Sequence, residues 1–192
     1  KGYLELLNFV AKQDKIPIFI QNVILYELFW QVQELVNHPE KLSFIDQAKI
    51  HKYLDLLDQI CYFIDSENII KFNFNSFLFL HKMGFLHCFK KEKVLIDKVF
   101  IEQIDDKNDE ILIKFYTADV NDEIKMLFDD RLAKIICSKI RQYDFLNRVF
   151  IYERRIWLKF FIDAKNMICF INDKKVDIIY QEKRCTSYNI SY

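Results

Sequence analysis

Only two glycines, Gly2 and Gly84, occur in 192 residues, and that scarcity constrains the chain more than any motif it carries. Loops that cradle phosphates or sharpen a nucleophile turn need several glycines at fixed spacing. GxGxxG, GxxxxGK and GxSxG cannot be written with Gly2 and Gly84 alone. Dinucleotide folds, P-loop NTPases and nucleophile-elbow hydrolases are therefore excluded by sequence signature.

The length allows one or two domains. Apolar residues make up 52% of the chain, with 19 Phe, 10 Tyr and 2 Trp, while charged residues make up 29%. A packed core is expected, and a disordered chain is not. Lys plus Arg and Asp plus Glu each number 28, so the formal net charge is zero. Proteins that coat nucleic acid are usually basic, because neutralising phosphates drives that binding. Neutrality points to protein partners or to a local basic patch. The longest charge-free run, Ile16 to Tyr26, is too short for a membrane span and holds Gln21 and Asn22. The first residue is Lys1, and no signal-peptide pattern follows, so an excised or processed chain is expected. The cysteines are Cys61, Cys88, Cys137, Cys169 and Cys185, with no CxxC. An odd count set mostly in apolar runs predicts reduced core thiols inside a cell.

Apolar spacing predicts an amphipathic helix over 3–12 and a second over 21–36, the latter through Ile24, Leu25, Leu28, Phe29, Val32 and Leu35. His38-Pro39 stops it. Ser43 and Asp46 read as a capping-box start for a third helix, with Ile50, Tyr53, Leu54, Leu57 and Ile60 on one face. Two β-rich runs about Asp65-Ser-Glu-Asn68 predict a hairpin within 61–74. Further on, 94–104 and 111–117 read as a hairpin about Asp105–Asp109. Asn121 to about Lys139 and Phe145 to Asp163 read as helices, and 167–171 with 176–180 as a last hairpin.

The order of helix then hairpin thus occurs at 44–74 and again at 145–180. Helices closed by a β-wing are the order of a winged helix-turn-helix. The expected fold is α+β: tandem winged-helix modules, helix-rich, with short antiparallel hairpins. The modules would be 1–75 and 76–192, the second with an inserted hairpin at about 93–117. A single α+β domain with the same elements is the plainer alternative.

The histidines, His38, His51, His81 and His87, match no zinc spacing, and no catalytic constellation stands out. No metal, cofactor or enzymatic activity is expected. Charge segregation says more. Residues 99–130 carry a local net of −7 and residues 131–160 a net of +6. On a helix from 145, Arg148, Tyr152, Arg155 and Lys159 would form one stripe able to contact phosphate and stack a base. The plain reading of the same residues is a solvated face. Asn189-Ile190-Ser191 matches a glycosylation acceptor but is read as accidental.

The helix and wing at Ala48-Lys-Ile-His-Lys-Tyr-Leu-Asp-Leu-Leu-Asp-Gln-Ile-Cys-Tyr-Phe-Ile-Asp65, set in 3–74, resemble the first C-terminal winged helix of the Stn-like subunit of the telomere-capping CST complex. Residues 119–181 would be the second. The Phe/Lys/Ile/Asn-heavy usage would suit the Stn-like subunit of a ciliate telomerase holoenzyme. The resemblance implies a non-catalytic protein-interaction module, nuclear and at telomeres. Its implied partners are a CST-like large subunit, polymerase α–primase and single-stranded telomeric DNA. No site residue carries over from it. A nucleic-acid-binding winged helix acting through the basic stripe, or a structural subunit of a large organellar assembly, are the alternatives.

Overall fold

The computed structural model describes residues 2–12, 15–74 and 77–180. Cys185 and Asn189-Ile190-Ser191 lie outside them. The chain divides into two compact units. One is Lys1–Lys93 with Tyr143–Ile151, and the other is Val94–Gln142 with Tyr152–Tyr192.

The first unit is helical: α1 (Gly2–Ala11), α2 (Ile18–Leu35), α3 (Gln47–Tyr62), α4 (Ser66–Lys71) and α5 (Phe79–Gly84), the last running into a π-helical turn at Phe85–Phe89. Helix α2 buries Ile24, Leu25, Leu28, Phe29, Val32 and Leu35, the spacing read from the sequence. A 3₁₀ turn at Pro39–Leu42 follows it. Helix α3 begins one turn later than expected. Asp46 is itself the N-cap, accepting from the Ala48 N–H at 2.6 Å. The hairpin expected in 61–74 is absent: α3 continues to Tyr62, and α4 follows with the Lys71–Glu67 pair at 2.6 Å on its surface. The core of this unit is aromatic. Phe77 meets Phe29 and Phe85 at 5.2 and 5.6 Å, and Phe89 meets Phe145 at 5.2 Å.

Gln21 is a buried polar side chain in the first turn of α2. Its Nε2 donates to the Ile16 carbonyl and to Asp65 Oδ2, both at 3.0 Å, and its Oε1 accepts from the Asp65 N–H at 2.8 Å. One amide therefore ties the start of α2 to the start of α4.

The chain then forms β1 (Lys98–Asp105), β2 (Glu110–Thr117), β3 (Ile124–Phe128), β4 (Arg131–Leu132), β5 (Ile135–Phe145), β6 (Arg148–Lys159), β7 (Met167–Ile171) and β8 (Lys174–Tyr180). They form an eight-stranded mixed sheet curled into a half-barrel, ordered β4-β3-β7-β8-β1-β2-β6-β5. Strands adjacent in sequence pair as β1/β2, β3/β4, β5/β6 and β7/β8, and β1 runs parallel to β8. The second unit has its own core, which includes Val99, Ile101, Ile113, Phe115, Met126, Ile156, Leu158, Cys169 and Val176.

The tandem winged-helix expectation is overturned by this sheet. Among the described residues there are five α-helices, all before residue 85. The stretches expected as helices at 121–139 and 145–163 are strands. In β3, Ile124, Met126 and Phe128 are buried while Lys125 is exposed, the two-residue period of a half-buried strand. The turns explain why the β3/β4 and β5/β6 hairpins were hidden. Asp129-Asp130 and Leu146-Asn147 have positive φ at both residues, as does Asn172-Asp173 in the β7/β8 hairpin that the sequence did show. Such two-residue turns ordinarily advertise themselves with glycine, and here Asn, Asp and even Leu take the left-handed positions.

Candidate functional site: the outer face of α2

Helix α2 carries apolar side chains well beyond its buried face. Its only charged residues are Glu27 and Glu34. An amphipathic helix at a protein surface turns polar residues outward; an all-apolar one normally lies buried. Here the inner face is buried, but Phe19, Val23, Tyr26 and Trp30 are 68%, 55%, 40% and 41% exposed. Their spacing, i, i+4, i+7 and i+11, sets them on one stripe. Tyr26 and Trp30 are held edge-on to Phe74, with ring centroids 4.9 and 5.7 Å away.

At Trp30 the stripe opens into a groove of about 650 Å³ whose walls include Leu35, Leu42, Ile45, Ile50 and Tyr53. Part of its polar rim is already paired. Tyr53 Oη donates to Gln31 Oε1 at 2.7 Å, and Lys41 Nζ meets Glu34 Oε2 at 2.5 Å. Burial pushes the Tyr53 phenol up to about 12, so it stays a protonated donor. The hydrogen bond from Lys41 holds the Glu34 carboxyl below its ordinary range. What remains for a visitor is apolar surface beside Lys49. Phe44 stands nearby in the sequence, 82% exposed.

The basic stripe read from the sequence is not a helix face. Tyr152, Arg155 and Lys159 lie on β6, where alternation sends Tyr152 to the face opposite Arg155 and Lys159. Arg155 Nε pairs with Glu102 and Glu153 at 3.1 and 3.0 Å, and Lys159 Nζ pairs with Glu110 at 3.1 Å. Lys114 Nζ joins the same cluster through Glu102 at 3.0 Å. Lys114 and Glu153 are buried while the Arg155 and Lys159 side chains are half-exposed, so the network runs from the interior to the surface, with its cations already paired. Arg148 belongs to the helical unit, where it pairs with Asp58 at 2.7 Å. The neighbouring acids are largely turn-makers. Asp105 accepts from the N–H groups of Lys107 and Asn108, and Asp129 from those of Lys165 and Asn166.

His81, Cys61, Cys88 and Cys169 are buried, whereas Cys137 is exposed. His81 Nδ1 accepts from the Leu78 N–H at 3.1 Å and its ring stacks on Phe77, a capping role for α5. Burial pushes the Cys88 and Cys169 thiols up to about 12, and Cys61 higher still. Burial lowers His87, beside Cys88 in sequence. Among the described residues no group of three or more His, Cys, Asp or Glu could hold a metal ion. Among the same residues no helix is long and apolar enough to cross a membrane.

The helix expected from sequence starts at Gln21, which leaves Phe19 and the exposed stripe outside that reading. The signal was present: a second apolar series four and three residues apart, beside the buried one.

No family model matches the chain, and no solved structure matches it. A match among curated proteins is the spermidine/putrescine import ATP-binding protein PotA of Mycoplasmopsis synoviae (strain 53), 33% identical over 87 residues. That stretch is 44% of this chain and 18% of that protein, so the chain is similar to less than a fifth of the relative's length.

Proposed function

We propose that this chain is a non-catalytic protein-interaction module of a larger assembly. Its α2 stripe and adjoining groove seat the apolar face of an amphipathic helix from a partner protein. One observation carries the reading: a helix apolar on both sides, one side packed inward and the other exposed over four large side chains. Contiguous exposed apolar surface of this kind marks an interaction site, and Trp and Tyr are favoured anchors in such contacts. A helix laid in a groove uses the same spacing that α2 displays.

The similarity to a piece of an import ATP-binding protein supports an ATP-driven importer as the assembly. With two glycines the chain carries no phosphate-cradling loop. Its part in such an assembly would be to hold a partner and not the nucleotide. The telomere-complex reading took its support from a winged-helix order that the fold does not have, so the importer is the assembly argued for.

The test is photo-crosslinking in cells, with benzoylphenylalanine installed at Trp30 and, as a control, at Asp106 in the β1/β2 turn. The expected result is a protein adduct specific to position 30, mapping to a segment with helix-period apolar residues. Adducts to nucleic acid or lipid, or the same adducts from position 106, would overturn the reading. Telomere-complex subunits at position 30 would keep the interaction module and replace the importer.

A further inference from the structure

Tyr26 and Trp30, the two aromatic anchors of the α2 stripe, share a neighbour from another part of the chain. Phe74 stands three residues past the end of α4 and is half-buried. Its ring meets both anchors edge-on, at 83° to Tyr26 and 75° to Trp30. The same ring lies at 69° to Phe29, with centroids 5.6 Å apart. Phe29 is fully buried and sits 5.3 Å from Trp30. Phe74 thus connects the two exposed rings to the core of the helical unit. Edge-to-face contacts of this kind fix one ring against another.

The segment leading to Phe74 is itself tied to α2. Gln21 holds Asp65 at the start of α4, and one turn on, Asn68 Nδ2 donates to Asn22 Oδ1 at 3.0 Å. Ile69 on the same helix is fully buried. The Phe74 carbonyl accepts from the Phe77 N–H at 2.8 Å. The ring that steadies the anchors therefore stands on backbone with fixed partners.

Aromatic side chains exposed on a helix ordinarily sample more than one rotamer. A partner that seats them must then order each one on arrival, and that ordering subtracts from affinity. In this chain the fold has already done it. We infer that Phe74 is a positioning residue for the interaction face: it holds Tyr26 and Trp30 in the rotamers that the partner helix meets. The inference rests on the reading of the α2 stripe as that face. Phe74 acts through the two anchors, and the contact with the partner is theirs.

The experiment reads partner capture and ring order on the same full chain. Benzoylphenylalanine is placed at Phe19, about 10 Å along α2 from Tyr26, and crosslinking in cells is compared with residue 74 unaltered, in Phe74→Leu and in Phe74→Tyr. Fluorine NMR on 5-fluorotryptophan protein follows Trp30, with Trp157 on β6 as the internal reference. In Phe74→Leu the Trp30 resonance should move toward that of free fluorotryptophan while Trp157 stays in place. Hydrogen exchange should still show α2 and α3 protected, and the adduct should fall by roughly tenfold, the factor that ordering two such side chains carries. Phe74→Tyr keeps the ring and should keep both readings. An adduct undiminished in Phe74→Leu, or a Trp30 resonance that does not move, would overturn the inference and leave the interaction face standing. So would loss of protection throughout the helical unit in Phe74→Leu, since Phe74 would then serve the fold. No adduct from position 19 with Phe74 in place would instead remove the interaction face, and the inference with it.

Discussion

Gly84 packs so closely on Phe150 that a methyl group built at its Cα would interpenetrate the Phe150 ring. Gly84 itself has ordinary helical angles, φ −64° and ψ −40°. Close approach, and not backbone freedom, reserves this position for glycine. Both residues lie in the helical unit, where Phe150 also meets Phe85 and Phe89 at 6.4 and 6.1 Å.

Gly84→Ala is therefore expected to destabilise the protein by about 1–3 kcal/mol, the usual cost of overpacking, although alanine favours helix by about 1 kcal/mol. In a Phe150→Leu background the same change should cost less, because the clash is shared between the two sites. Urea denaturation of the four proteins of the cycle measures the coupling.

Gln21→Leu keeps the volume of a buried residue and strips Asp65 of its main partner. Leaving the Asp65 N–H without an acceptor should cost about 1–3 kcal/mol. The hydrogen bond from Gln21, with Lys15 next, holds the Asp65 carboxyl below its ordinary value. A carboxyl depressed on folding adds stability that is present above its unfolded pKa of about 3.9 and lost as pH falls through the folded value. In Gln21→Leu the Asp65 titration, followed by carboxyl NMR shifts, should move upward, and this part of the acid sensitivity should shrink.

The charge network on β1, β2 and β6 should divide by burial. Lys114→Ala removes a buried partner of Glu102, which keeps Arg155, and is expected to cost about 1–3 kcal/mol. Lys159→Ala opens a half-exposed pair and should cost less than about 1 kcal/mol, with most of that lost in high salt. Paired melts at low and high salt check both.

Thiol reactivity should follow exposure. Cys137 is exposed on β5, while Cys61, Cys88 and Cys169 are buried with their thiols held protonated. Iodoacetamide near neutral pH should label Cys137 at least tenfold faster than these three, which should react only after unfolding. Mass spectrometry over time gives the order.

Much of the helical unit was legible because single signals were unopposed. Proline at 39 stopped α2, and Ile50, Leu54 and Leu57 marked the face of α3. The β1/β2 and β7/β8 hairpins were legible from alternating runs about Asp105–Asp109 and Asn172–Asp173. The middle of the sheet was not, because its residues satisfy two periods at once. Ile124 with Leu127 and Phe128 fits a helix, while Ile124, Met126 and Phe128 fit a strand. Tertiary pairing decided for the strand. Arg148, Tyr152, Arg155 and Lys159 fell into the same ambiguity, so the imagined stripe became two faces of one strand. At 66–71 the Glu67–Lys71 spacing was a helix signal outweighed by the β-branched run around it.

The central claim, that the outer face of α2 serves a partner and not the fold, is tested most directly by Phe19→Ser/Val23→Ser. Crosslinking from position 30 and thermal unfolding are measured on the same protein. The account expects the partner adduct to disappear while stability changes by no more than about 0.5 kcal/mol, as for other surface substitutions. An adduct that survives, or a protein that loses its fold, would contradict it.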